Sequence, residues 1–430
     1  MKRENGKYDP IFRYIVGMKN LPRYYFMHIR MFNKNARLFL LSGFLSGLGL
    51  AVFGLLFNLY LKETGFSESQ IGQVLSFGAL GSAIMAIPAA MILERFPLKK
   101  ILIWSTLLAV LSYFLVVFSV LLSMISLFFL FANMFVIVYR VSTSPFLMNN
   151  SNKRERIFLF SFNSALTMFA QSIGFLLGGF LPKIILMAKI TSSLHVAYQL
   201  SLYLSVVGVL ISLIPYLGLT QAPIIRKHIS FIRSFKQYDW RLLSRLIIPR
   251  LLLGLGAGLV IPFMNLYFKN VFKADSTSIG IFFSVLQIFM VIGYLITPLL
   301  SKRFGMLNTI VYTQLLSVPF MFFLAISKNL QLSVVAFIVR GTLMNLNTPV
   351  ISNFEMELVS KSDRPFTNAL STLTWQGSFT ISSWLGGHII ERYSFAWSFY
   401  VTIFFYLISA ATYYTFFKNK TSVNGLIKRK

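Results

Sequence analysis

Residues 38–61 read LFLLSGFLSGLGLAVFGLLFNLYL, without one charged side chain between Arg37 and Lys62. A membrane hydrocarbon layer of about 30 Å is crossed by roughly 20 apolar residues in an α-helix, so this stretch is long enough to span it. Lipid offers the backbone no hydrogen-bond partner, which restricts spanning segments to helices and closed barrels. The apolar residues run continuously and do not alternate with polar ones, which predicts a helix. The same reading along the chain predicts eleven further spans, at 70–93, 100–122, 124–148, 156–181, 197–219, 244–268, 276–300, 307–327, 329–353, 364–389 and 395–417.

Composition agrees with lipid as the main solvent. Of 430 residues, 56% are hydrophobic and 12% charged, and twelve carboxylates cannot cover a soluble protein of this size. Zero cysteines exclude disulfides and thiolate metal sites, and four scattered histidines leave no zinc-ligand spacing, so neither metal nor cofactor is expected. A net charge of +28 would suit a nucleic-acid binder if the cations formed one face. They lie between the spans instead. With the N-terminus inside, thirty of the forty Lys and Arg fall in cytoplasmic segments and seven in outer ones, while Arg140, Arg250 and Arg340 lie within spans. This bias places both termini in the cytoplasm of a multi-pass cell-membrane protein and draws the loops to anionic lipid headgroups, with no nucleic-acid partner. Residues 1–37 carry no secretory signal, and Ile11–Met31 has the composition of either a helix in the headgroup layer or a solvated leader.

The first span ends in Asn58-Leu59-Tyr60 with Lys62, and this recurs as Asn265-Leu266-Tyr267 with Lys269. Further pairs keep nearly the same offset: Ile71-Gly72 with Ile279-Gly280, Arg95-Phe96 with Arg303-Phe304, Gly178-Gly179 with Gly386-Gly387, Gln171 with Gln376, and Arg140 with Arg340. An ordered series of this kind marks an internal duplication. The expected architecture is an all-α integral membrane protein with twelve transmembrane helices in two six-helix bundles, 38–219 and 244–417, joined by a cytoplasmic linker, 220–243, and followed by a basic tail, 418–430. Six is even, so both copies start on one side of the membrane, and a cavity is expected between them near the midplane.

The loop after the second span reads Ala90-Met91-Ile92-Leu93-Glu94-Arg95-Phe96-Pro97-Leu98-Lys99-Lys100. It resembles the Gly-x-x-x-Asp-Arg-x-Gly-Arg-Lys element of the major facilitator superfamily, with Glu94 in the Asp place and Arg95 and Lys99 retained. Ala90, Pro97 and Leu98 depart from that pattern, and the second copy, Lys302-Arg303-Phe304-Gly305, lacks the acid. The resemblance implies that Glu94, Arg95 and Arg303 gate the cytoplasmic side through charge pairs; enforcing topology is the plainer reading of these cations. Gly174-Phe175-Leu176-Leu177-Gly178-Gly179 is similar to the Gly-Pro-x-x-Gly-Gly motif of drug antiporters, with Phe175 in place of Pro, and equally fits close helix packing. Arg140 is similar in placement to the Arg that opens a fourth-helix motif of proton-coupled members.

Ionisable groups at bilayer depth cost at least about 2.5 kcal/mol and need a reason. Arg140 and Arg340 are therefore candidate substrate-cavity residues, with Arg340, nearer mid-span, the stronger, and Asn347 two turns along the same face. Gln171 and Gln376 sit in polar stripes with Ser164 and Thr167, and with Thr372 and Ser383, and Asn58 and Asn265 add amides. No carboxylate falls at the centre of a span, so the cavity is expected to be positive and to take an anionic or polar neutral small molecule. Glu355, Glu357 and His388 are the nearest groups for proton coupling, and the two glutamates would reach Arg340 only after a helix rearrangement. The expected function is secondary active transport by a monomer. Alternatives are a multidrug efflux antiporter and a lipid or lipid-linked-sugar flippase. No phosphate-binding loop or clustered catalytic groups support a pump or a membrane enzyme.

Overall fold

The computed structural model describes residues 32–152, 156–220, 238–360 and 363–427. The Ile11–Met31 segment and most of the linker 220–243 lie outside them. Twelve long helices follow one another: α1 (Lys34–Glu63), α2 (Glu68–Arg95), α3 (Leu98–Phe118), α4 (Leu122–Asn149), α5 (Arg156–Met187), α6 (Leu194–Leu217), α7 (Trp240–Phe272), α8 (Ser276–Phe304), α9 (Met306–Ile326), α10 (Leu330–Leu358), α11 (Arg364–Arg392) and α12 (Phe395–Ile427). Each predicted span lies on one of them. α12 continues through much of the stretch expected as a tail.

Eleven of the twelve, all but α11, are long and apolar enough to cross a membrane. α11 is more polar because it packs between α2 and α7, with protein on both sides. Elsewhere the usual distribution is inverted. Trp104 and Phe118 are 64% and 68% exposed, whereas Ser42, Ser212, Thr402 and Ser409 are fully buried. Lipid accepts the apolar surface, and the buried hydroxyls satisfy themselves on neighbouring carbonyls. Ser42 Oγ donates to Ser212 O at 2.7 Å, tying α1 to α6, and Thr402 Oγ1 donates to Gly256 O at 2.9 Å, tying α12 to α7.

The turns are short. Gly65, at φ +98°, lets α1 turn into α2, whose first turn is closed by a capping box between Ser67 and Gln70. Gly305, at φ +80°, does the same between α8 and α9.

The two halves pack alike. In the first, α1 lies on α5 and α6, α2 on α4, and α3 on α4 and α6. In the second, α7 lies on α11 and α12, α8 on α10, and α9 on α10 and α12. The contacts between halves obey the same exchange, because α2 packs on α11 and α8 on α5. All odd-numbered helices start at the face where α1 begins, the near face, and end at the opposite, far face.

One local feature was not expected from the sequence. α7 is broken by a single 3-10 turn, Ile261–Phe263, between Trp240–Val260 and Met264–Phe272. Pro262 has no N–H to give and cannot continue the ladder. Its carbonyl accepts from Asn58 Nδ2 of the other half at 2.6 Å.

Candidate solute cavity

A cavity of about 350 Å³ lies between the halves. Its first-half wall comes from α1 (including Ser46 and Leu50), α4 (Val136, Tyr139, Arg140) and α5 (Thr167, Gln171, Phe175), and its second-half wall from Ile261, Pro262, Asn265 and Phe283. Arg140 is exposed, and among the described residues its guanidinium has no hydrogen-bond or ion-pair partner. The break in α7 supplies two of the four second-half residues, Ile261 and Pro262, so the irregular backbone lines a cavity and not lipid.

The far end is sealed by reciprocal contacts. Asn58 Nδ2 donates to Asn265 Oδ1 at 3.2 Å, and Asn265 Nδ2 donates to Leu55 O at 2.9 Å. The repeated Asn residues thus clasp each other across the interface, and both are 3% exposed. The repeated glycines also meet each other. A Cβ on Gly72 would stand 2.6 Å from Ser383 O and 3.0 Å from Gly387 Cα, and one on Gly280 2.8 Å from Gly179 Cα. Only hydrogen fits there, so α2 and α11, and α5 and α8, cross at backbone contact. Lys269 Nζ pairs with Glu63 Oε2 at 2.7 Å, and Ser172 Oγ bonds Ser284 Oγ at 2.7 Å.

His388 belongs to this seal. Its Nδ1 lies 2.9 Å from the Trp384 carbonyl, which can only accept, so Nδ1 donates there, and Nε2 lies 3.0 Å from Ser69 Oγ. Glu391 Oε2 accepts from Ser69 N at 2.8 Å, placing a carboxylate on the first turn of α2, where the helix dipole favours it.

Gln287 Nε2 donates to Gln171 Oε1 at 3.1 Å. Nearer the near face than this pair, no hydrogen bond, ion pair or ring contact joins the halves among the described residues. Arg95 and Arg303 are exposed at the near face, without an ion pair among the described residues; the Glu94 side chain lies outside the description. Lys99 Nζ donates to Leu217 O at 2.5 Å, within its own half.

The two repeated arginines are not brought together. Arg340 is 3% exposed inside the second half, where Nη2 donates to Tyr406 Oη of α12 at 2.6 Å and Nε has no partner. It is not among the side chains that line this cavity, although its depth along the span made it the stronger candidate in the sequence. Asn347 is 1% exposed and accepts from Thr313 of α9, so the shared polar cavity expected with Arg340 is a bundle interior. Gln376, half-buried on α11, is not among the lining side chains.

Glu355 finds a partner other than Arg340. Arg250 Nη1 lies 3.1 Å from Glu355 Oε1, Arg250 Nε donates to Ser371 O at 3.2 Å, and Ser371 Oγ donates to Glu355 Oε2 at 2.9 Å. This knot joins α7, α10 and α11, with the carboxylate 2% exposed. The sequence alone assigns Arg250 no role; its place among three in-span cations, with Glu355 two residues past the end of the predicted span 329–353, was the available signal. Glu357, two residues on, is exposed and has no partner among the described residues.

The sequence profile of the Major Facilitator Superfamily matches the chain twice, over residues 39–245 and 246–429. Comparison with curated proteins finds no match. Among solved structures, the nucleoside transporter NupG is 15% identical, with a TM-score of 0.72 over 90% of this chain and 99% of its own. A bacterial homologue of the human lysosomal transporter Spinster, inward-facing and occupied, is 13% identical, with a TM-score of 0.74 over 88% and 95%. A D-xylose–proton symporter is 14% identical, with a TM-score of 0.70 over 89% and 97%. With the profile covering nearly the whole chain and a cavity lined by both duplicated halves, the chain belongs to the Major Facilitator Superfamily of membrane transporters.

Proposed function

We propose that the protein is a secondary active transporter that carries a small solute through the cavity between its halves by alternating access. The observation that carries this reading is the one-sided seal. Side chains of both halves line one cavity, and among the described residues the hydrogen bonds and ion pairs between halves lie from the Gln171–Gln287 pair to the far face. Rocking about that level would part the glycine crossings and bring the near-face segments together.

The positive-inside bias supports a cell-membrane location with both termini cytoplasmic, which makes the arrangement inward-facing. Arg95 and Arg303 are then the cations that engage when the near face closes. Glu355 is our candidate for proton coupling, because protonating it would release Arg250 and loosen the knot among α7, α10 and α11. No described carboxylate lines the cavity, which weighs against lipophilic cations as solutes and so against a multidrug exporter for them.

The test is solute flux in proteoliposomes with and without a pH gradient. Gradient-driven uptake or export supports the proposal, and Glu355→Gln should remove its pH dependence. Solute that binds but never moves in any gradient would refute it.

A further inference from the structure

Building on the transporter reading, we propose that the cavity selects a singly charged organic anion with an apolar body. Among the described residues Arg140 is the one cation on its wall, and no carboxylate faces it. The other two in-span arginines are held elsewhere, Arg250 by Glu355 and Arg340 by Tyr406. A guanidinium that faces a cavity between low-dielectric walls without a counter-charge raises the local concentration of anions. Its planar donor fork matches a carboxylate held by two parallel hydrogen bonds.

Charge sets the valence. One cation neutralises one negative charge, and a dianion would leave a net charge buried when the cavity closes. The remaining wall sets the body. Leu50, Val136, Phe175 and Phe283 supply apolar surface, with the two rings meeting edge to face at 5.5 Å. Asn265 is spent on the seal, with Nδ2 on Leu55 O and Oδ1 accepting from Asn58 and from Leu266 N. Gln171 has its carbonyl oxygen engaged by Gln287, which leaves its amide N–H groups as neutral donors on the same cavity wall as Arg140. A volume of about 350 Å³ lies at the lower end of small-molecule sites and suits a compact solute. The duplication sharpens the point, since the counterpart Arg340 is buried and tied, so the charge sits on the first half's wall alone.

The experiment uses the full chain in lipid nanodiscs and a panel of matched probes: monocarboxylates from butyrate to naphthoate, the corresponding amides and amines, and phthalate as a dianion. Binding is read by calorimetry and by the shift in melting temperature. Monocarboxylates with an apolar body should bind, with amides, amines and phthalate weaker. Arg140→Gln should weaken binding about 10- to 100-fold, the worth of a hydrogen-bonded charge pair, and Arg140→Lys should keep part of it. Because Arg140 is exposed and has no partner among the described residues, both variants should melt as the parent does without ligand. Failure of every monocarboxylate to bind, or equal binding of amides that Arg140→Gln leaves unchanged, overturns the proposal. Proteoliposomes separate the two claims. A neutral solute that is moved would overturn the anion class and keep the transporter. Anions bound at Arg140 but never moved would keep the site and overturn transport.

Discussion

Adding one methyl group at Gly387 should unseat the far-face seal. A Cβ there runs into the Glu68 carbonyl oxygen and stands 3.0 Å from Gly72 Cα and 3.1 Å from Ser69 Cα. Carbon atoms prefer about 3.5–4.0 Å, and these neighbours are backbone that no rotamer change moves, so α2 and α11 must part by roughly 0.5–1 Å. Overpacking of this kind costs about 1–3 kcal/mol. The cost falls on the sealed arrangement alone, because separating the helices removes the clash. A bias of that size changes the ratio of two states about 5- to 150-fold. On the same helix, a Cβ at Gly377 meets nothing within 4 Å, so Gly377→Ala is the control. The chain has no native cysteine, so Thr64→Cys and Tyr393→Cys, both exposed at the far face on opposite halves, accept spin labels directly. Electron–electron distance measurements should find a longer far-face population in Gly387→Ala and in its repeat counterpart Gly179→Ala, and none in Gly377→Ala. Identical distance distributions in all three would refute the reasoning.

Three further outcomes follow from the buried polar contacts. Glu355→Leu strands the Arg250 guanidinium and should cost about 3–5 kcal/mol, while the double variant with Arg250→Leu recovers most of it; thermal unfolding in detergent checks this, and additive losses contradict it. Asn58→Ala removes the donor to Pro262 and Asn265 and should weaken the sealed state by about 1–3 kcal/mol, read as faster maleimide labelling of Thr167→Cys from the far face. Tyr406→Phe takes away the described hydrogen-bond partner of Arg340 and should lower stability by about 1.5–3 kcal/mol without changing solute affinity. A change of affinity at unchanged stability would place Arg340 at the cavity after all.

The helices were legible because lipid imposes a length and a composition on each, and the duplication because Asn58, Gly72, Gly179 and their counterparts keep their spacing. What the spacing did not reveal is that these residues meet one another. Gly179 touches Gly280 and not its own counterpart, since the pseudo-twofold axis lies between them. The different surroundings of the two arginines were hidden for a related reason. Depth along a span can be counted, but the rotation of a helix that is apolar on nearly every face cannot. That rotation decides that Arg140 opens to the cavity and Arg340 to Tyr406. The Glu355–Arg250 pair spans 105 positions and joins two helices of one bundle, so no local pattern announces it. The break at Pro262 reads as a tolerated proline until Asn58 is seen to take its carbonyl.

The most direct test of alternating access is a staple across the seal. Ser172 Oγ and Ser284 Oγ lie 2.7 Å apart on α5 and α8, so Ser172→Cys with Ser284→Cys places two sulfurs within reach of a bond of about 2 Å. A third cysteine, Thr167→Cys on the cavity wall, then reports access to membrane-impermeant maleimide from each face. With the staple reduced, the reporter should be labelled from both faces; oxidised, from the near face alone. Far-face labelling that persists at full strength with the staple closed would contradict a cavity that opens to opposite sides by turns.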